Sequence, residues 1–229
     1  MYWHLDKFVS SANAQLIKIN SNGYPQLDPN HERLIGLVEK VYDLVYDNSG
    51  VIADNVGIIE EMIANSRVMT WPCRLFDMAY YYRGVEYDYG VIPYPKYDEF
   101  QEKYCSSLGS LVPFVCIPNT CEKTELAGAF MEAMASESYR KVTPVFFDIV
   151  LDVKSARDEE TLKMLDIIRN GAYMSFETAY SSSVSNVSEM MYNIVWQQKS
   201  TYFASWYEKN EGKISESINK FIEKINAVG

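Results

Sequence analysis

Residues 87–99 read YDYGVIPYPKYDE, and the rest of the chain is organised around how this stretch is read. The β-branched pair Val91 and Ile92 follows Gly90, and Pro93 and Pro95 then withdraw two backbone donors, so a short strand is predicted to run out into a rigid loop carrying Tyr94 and Tyr97. Loops fixed by a scaffold are where binding residues sit. The other reading of the same residues is a strand end with surface tyrosines.

Working back from this stretch, residues 73–83 have the apolar spacing of a short helix ended by Gly84, and Arg67-Val68-Met69-Thr70-Trp71 reads as a strand stopped by Pro72. Residues 55–64 read as a helix. The clearest helix opens at Leu27-Asp28-Pro29, with Asp28 as cap and Leu34, Leu37, Val38, Val41, Leu44 and Val45 as one stripe. Residues 2–16 have helical spacing, residues 16–19 could pair as a strand, and Ser21-Asn22-Gly23 reads as a turn.

Working forward, residues 111–117 form a second apolar strand run, with Pro113 marking an edge, a bulge or an inter-domain crossing. From Thr120 the pattern is almost wholly helical. Leu126, Phe130, Met131 and Met134 define one helix, and further helices follow through residues 145–150, 162–168, 184–195, 203–207 and 214–225. The connector 172–183 is rich in aromatics and serine. The expected architecture is α/β and helix-rich, with an α/β portion over residues 1–118, a helical segment over 119–150 and a C-terminal helical segment over 151–229 that packs back on the first.

The chain has 229 residues, 48% hydrophobic and 23% charged, which is enough to bury a real core. Its 31 acidic and 21 basic side chains leave a formal net charge of −10. That balance argues against nucleic acid or anionic lipid as the main partner. The opening MYWHLDKFVS lacks the basic and apolar regions of a secretory signal, and no apolar run approaches membrane-spanning length. The four cysteines fit no zinc site. The spacing CIPNTC leaves two possibilities, a small Cys116–Cys121 disulfide loop or buried free thiols.

Several chemistries lack support. His4 and His31 have no evident companion ligands, no glycine-rich phosphate loop occurs, and there is no GxSxG elbow, so neither a metal nor a cofactor is expected. Asp88 and Asp98 are a conceivable glycosidase pair, set against a solvated acidic surface. What the chain does supply is aromatic rings. It has 18 tyrosines and four tryptophans, with Tyr2, Trp3, Trp71, Tyr94, Tyr97 and Tyr180 at strand ends or in connectors. Flat rings that stack on an apolar face and offer a polar edge suit a sugar-binding cleft; the alternative is that they fill cores.

The order of RVMTW, YDYGVIPYPKYDE, VCIP and the Leu126-Ala127-Gly128 helix resembles the C-terminal half of extracellular solute-binding proteins of carbohydrate ABC transporters. ASESYR, ARDEET, MLDIIRNG and FASWYEKNE resemble the later helices of the same family, so the likeness covers almost the whole chain. The resemblance implies a periplasmic-binding-protein-like second lobe, extracellular and cell-surface anchored in the parent family, with hinge crossings near residues 111–118 and 147–153. It implies no enzyme activity and no cofactor. The ligand would be a monosaccharide or oligosaccharide held in an inter-lobe cleft, and the parent's partner an ABC permease.

By position, the resemblance assigns ligand contact to Tyr2, Trp3, Trp71 and Tyr180, with Tyr97 near the cleft mouth. Family members carry a first lobe and an export signal ahead of the place where Met1 falls. Helices after Thr120 would normally pack on that lobe, so an uncovered apolar face is expected, with self-association or rearrangement as its consequence. Two other functions remain open: a helix-rich protein-interaction module and, third, a glycoside hydrolase.

Overall fold

A computed structural model describes residues 4–52, 56–82, 84–109, 112, 114–147 and 159–227. The described structure is helix-rich and contains two two-stranded sheets. The chain divides into two interleaved units, one of residues 1–72, 93–110 and 167–229, the other of residues 73–92 and 111–166.

In the first unit, α1 (Asp6–Ser11) leads to an antiparallel hairpin of β1 (Ile17–Ile19) and β2 (Pro25–Leu27), with Ile17 opposite Leu27. The hairpin turn is fixed by Asn20, whose Oδ1 accepts from the N–H groups of Asn22 (2.9 Å) and Tyr24 (3.1 Å). Then comes α2 (His31–Tyr42), capped by Asn30, whose side chain accepts from the Arg33 N–H at 3.0 Å. Its stripe Leu34, Leu37, Val38 and Val41 is buried, together with Val45 on the π turn Asp43–Asp47. α3 (Val56–Ala64) follows.

Three further segments close on that stripe. Val9 comes from α1 and Leu5 from the position just before it. Val184, Val187, Ile194 and Val195 come from the 3-10 turns Ser181–Val184 and Val187–Glu189 and the π turn Tyr192–Gln197, and Met190 and Met191 from the link between the last two. Phe203, Ile214 and Ile218 come from the closing 24-residue helix Phe203–Asn226. Buried hydrocarbon on this scale dominates the stability of the unit, each fully buried Leu, Ile, Val or Phe contributing about 1.5–3 kcal/mol. The second sheet pairs β3 (Ser106–Ser107) in parallel with β4 (Ala172–Tyr173). A Cβ on Gly171 would overlap the Tyr104 carbonyl, so the two backbones meet only because residue 171 has no side chain.

In the second unit, α4 (Leu75–Tyr80) is started by contacts between Arg74 and Asp77. The Asp77 carboxylate accepts from the Arg74 N–H at 2.8 Å and from its guanidinium at 2.6 Å. Met78 and Leu165 form a small core with Cys73, Leu75, Tyr82, Tyr89, Val91, Phe146 and Phe147 around them. Helix α5 (Thr124–Glu137) passes through a π turn, Ser138–Val142, into α6 (Thr143–Val145), and α7 (Glu159–Asn170) supplies Leu165. Returning to the first unit, α8 (Phe176–Ala179) is capped by Ser175, and the Phe203–Asn226 helix is α9.

The structure corrects several local expectations. Residues 67–71 and 91–92 form no strand, and Met69 and Ile92 are exposed. Phe114, Val115 and Ile117 are exposed and unladdered too. Each of these apolar runs is bounded by proline and pairs with no neighbouring segment, whereas the polar pair Ser106–Ser107 does find one. Asn30, not Asp28, caps α2; Asp28 instead meets Lys18 at 3.0 Å. The first helix shrinks to six residues because the chain turns at Asn13, φ +50°. Ser185 and Asn186, at φ +61° and +52°, break the expected helix over 184–195 into short turns. Residues 203–207 and 214–225 belong to one helix. All four cysteines are free thiols, with Cys116 exposed and Cys73, Cys105 and Cys121 half-buried. Leu111, Pro113 and most of the 147–153 crossing lie outside the described residues. Among the described residues, no helix is long and apolar enough to cross a membrane.

Candidate functional site

Tyr97, from the stretch that organises the sequence, is held against the polar face of α2. Arg33, Gly36 and Lys40 recur at helical spacing on that face, and Tyr97 occupies the gap over the glycine: a Cβ on Gly36 would lie 2.5 Å from its hydroxyl. The Arg33 guanidinium carbon and the Lys40 Nζ lie 4.4 and 4.1 Å from the ring centroid. Lys40 also donates to the Tyr97 carbonyl at 3.2 Å, and the Tyr97 N–H donates to Gln101 Oε1 at 3.1 Å. Arg33 reaches Gln101 Oε1 (2.9 Å) and the Ala12 carbonyl (2.7 Å), while Gln101 Nε2 donates to the Ser11 carbonyl at 2.8 Å. Two cations already attend this ring, so its chief work is to pin the loop. Asp98 is occupied as well, accepting from the Phe100 and Gln101 N–H groups at 3.1 and 3.0 Å.

The other rings chosen from sequence are distributed differently. Tyr2 and Trp3 lie outside the described residues. Trp71 is half-buried, with its indole nitrogen buried. Tyr180 is 46% exposed and rests on Phe176 and Phe221, at centroid distances of 4.9 and 4.8 Å. Tyr97 and Tyr180 thus belong to separate clusters with different partners.

A depression of about 510 Å³ is lined by Tyr42, Gln198, Lys199, Ser200, Thr201 and Tyr202. Its shape follows from how the chain leaves the π turn Tyr192–Gln197 and enters α9. The Gln198 N–H donates to the Asn193 carbonyl (3.1 Å), Lys199 turns the chain at φ +48°, and the Ser200 N–H donates back to the Ile194 carbonyl at 3.1 Å. Ser200 Oγ accepts from the Tyr202 N–H at 3.0 Å. Buried Phe203, against the His31 ring at 5.8 Å, then anchors the start of α9.

Opposite, Tyr42 lies at the end of α2 with its ring 4.9 Å from that of Tyr46, whose hydroxyl donates to the Val195 carbonyl at 3.1 Å. The walls therefore offer two phenol rings, one 74% exposed on Tyr202, together with an amide, an ammonium and two hydroxyls. Rings of this kind are suited to an apolar ligand face and the polar groups to its rim, and the lining residues include no carboxylate or imidazole. Sequence reading missed these residues because Gln198 to Tyr202 is an ordinary polar run. The signal lay in Tyr202 standing directly before the long apolar stripe of α9.

Two carboxylates lie deep in the first unit. Glu177 Oε2 accepts from the Leu16 and Ile17 N–H groups at 3.0 and 3.2 Å, and Asp6 Oδ1 accepts from the Tyr192 N–H at 3.1 Å. Burial pushes both carboxyls up to about 7, against the opposing pull of those N–H groups; Glu189 adds to the rise at Asp6, and Asp6 to that at Glu177. Nearby, Tyr173 donates to the Ser10 carbonyl at 3.0 Å and accepts from Gln15 Nε2, and burial pushes its phenol up to about 12. These groups tie α1, the hairpin and the Tyr192–Gln197 turn together.

No protein-family model, curated protein or solved structure matches the chain.

Proposed function

We propose that the chain is a non-catalytic carbohydrate-binding part of the solute receptor of an ABC importer, extracellular in its parent system and served by an ABC permease. The reading starts from the resemblance of YGVIPYPKYDE and MLDIIRNG, with the accompanying helices, to that family. The observation that carries it is the depression beside Tyr42 and Tyr202. A pyranose presents an apolar C–H face to a ring and a rim of hydroxyls to amide, ammonium and hydroxyl partners, and the residues lining this depression include each kind of group. Tyr180, with its ring partly exposed, is a second stacking position. In the parent family the sugar is enclosed by lobe closure, which adds contacts from another lobe.

The test is a thermal-shift screen of the chain with monosaccharides and oligosaccharides, followed by product analysis of every stabilising sugar. Saturable stabilisation without turnover is expected, since a ligand at a hundredfold excess over its Kd stabilises by about 2.7 kcal/mol. Product release would replace the reading with a glycoside hydrolase. No response to any sugar would refute it.

A further inference from the structure

Among the residues lining the depression beside Tyr42 and Tyr202, Lys199 alone carries a formal charge. It is exposed and, among the described residues, makes no ion pair. Asp43 and Asp47, on the π turn that follows Tyr42, do not line the depression. The fold fixes the backbone at Lys199. Its φ of +48° lies in the left-handed region, which residues with a side chain enter in only a few per cent of cases. Hydrogen bonds from the Gln198 N–H to the Asn193 carbonyl and from the Ser200 N–H to the Ile194 carbonyl, both 3.1 Å, hold the chain on either side of it.

We propose that the depression takes an acidic saccharide, one carrying a uronate or sialate unit, whose carboxylate pairs with the Lys199 ammonium. This rests on the saccharide reading of the depression and narrows it. A carboxylate only accepts hydrogen bonds, and the donors stand together here. Ser200 Oγ already accepts from the Tyr202 N–H at 3.0 Å, which leaves its own O–H to donate beside the ammonium. The surroundings reinforce the sign. Ser200, Thr201 and Tyr202 lead directly into the 24-residue helix α9, whose start carries about half a positive charge. Tyr202 gives that start no side-chain cap, and its first turn holds no acidic residue, so nothing in the helix itself answers the charge. The formal net charge of −10 on the whole chain does not reverse this preference. At physiological salt, charges act over only about 8 Å, so the groups at the depression decide.

Titration calorimetry of the intact chain tests this, with oligosaccharides built on glucuronate, galacturonate, mannuronate or sialate, each beside the neutral counterpart made by reducing its carboxyls. At least one acidic sugar should bind about tenfold tighter than its counterpart, since an exposed ion pair and a helix start each contribute up to about fivefold. Added salt should shrink that ratio. Lys199→Gln should cut it by roughly threefold or more, with an unchanged melting temperature of the free chain, because the side chain is exposed. Neutral counterparts bound as tightly as the acidic sugars would overturn the proposal while leaving the saccharide reading in place. So would a preference that Lys199→Gln leaves unchanged. Binding of neither kind of sugar would overturn both.

Discussion

The hydroxyl of Tyr97 lies over Gly36, where a Cβ would come within 2.5 Å of it, and the ring is flanked by Arg33 and Lys40, three positions before and four after that glycine. A loop 61 positions along the chain is thereby registered on one turn of α2. The missing side chain at residue 36 and the bulk at residue 97 form one feature.

Gly36→Ala separates helix propensity from this contact. In an otherwise indifferent helix the substitution stabilises by about 1 kcal/mol. Here it should destabilise by roughly 1 kcal/mol, because the ring must leave two cation contacts worth about 0.5–2 kcal/mol each. With Tyr97→Phe, which removes the obstructing oxygen, the same Gly36→Ala change should become stabilising. Urea unfolding of the four proteins in a double-mutant cycle measures the sign reversal; the same sign in both backgrounds would contradict it.

The buried carboxylates make stability depend on pH in an unusual sense. Asp6 and Glu177 are raised from ordinary values near 4 to about 7, so the folded chain holds protons that the unfolded chain releases. Their contribution is complete below pH ~4 and is lost as pH rises through 7. Stability should therefore fall between pH 5 and pH 8, by about 3 kcal/mol if one raised carboxyl dominates. The groups facing the pair are Glu189, Lys7 and Tyr173. Glu177→Gln keeps an acceptor for the Leu16 and Ile17 N–H groups, and it should flatten the slope and raise stability at pH 8. Denaturant melts at closely spaced pH values read this directly. An unchanged slope in the variant would exclude Glu177 as its source.

Asn30→Ala should cost about 1 kcal/mol in thermal or urea unfolding, because it leaves the Arg33 N–H without its cap. Asp28→Ala should cost no more than a few tenths, since it removes only an exposed ion pair with Lys18. The reverse order would return the cap to Asp28.

The residues themselves show why some of the fold was legible and some was not. The stripe of α2 reads correctly because four of its apolar positions meet one continuous core, which makes periodicity a direct record of burial. The β-branched residues at 67–71 and 91–92 mislead because a strand needs a partner, and nothing local shows that Ser106–Ser107 rather than Val91–Ile92 acquires one. The C-terminal turns are opaque for a different reason. Ser185 and Asn186 adopt left-handed backbone conformations that the apolar spacing around them does not signal. At the candidate site, an aromatic-rich stretch points to where rings are, while ring availability depends on packing. Tyr97 is claimed by Arg33 and Lys40, and Tyr202, in a plain polar run, is left open.

The depression beside Tyr42 and Tyr202 is the proposed saccharide site. The direct measurement is titration calorimetry of the wild-type chain and of Tyr202→Ala with the oligosaccharide that stabilises the wild type most. Loss of one stacking ring on an exposed position should weaken binding about tenfold or more while leaving the melting temperature of the free protein nearly unchanged. Equal affinity in the two proteins would place the sugar elsewhere, and no heat with the wild type would contradict carbohydrate binding itself.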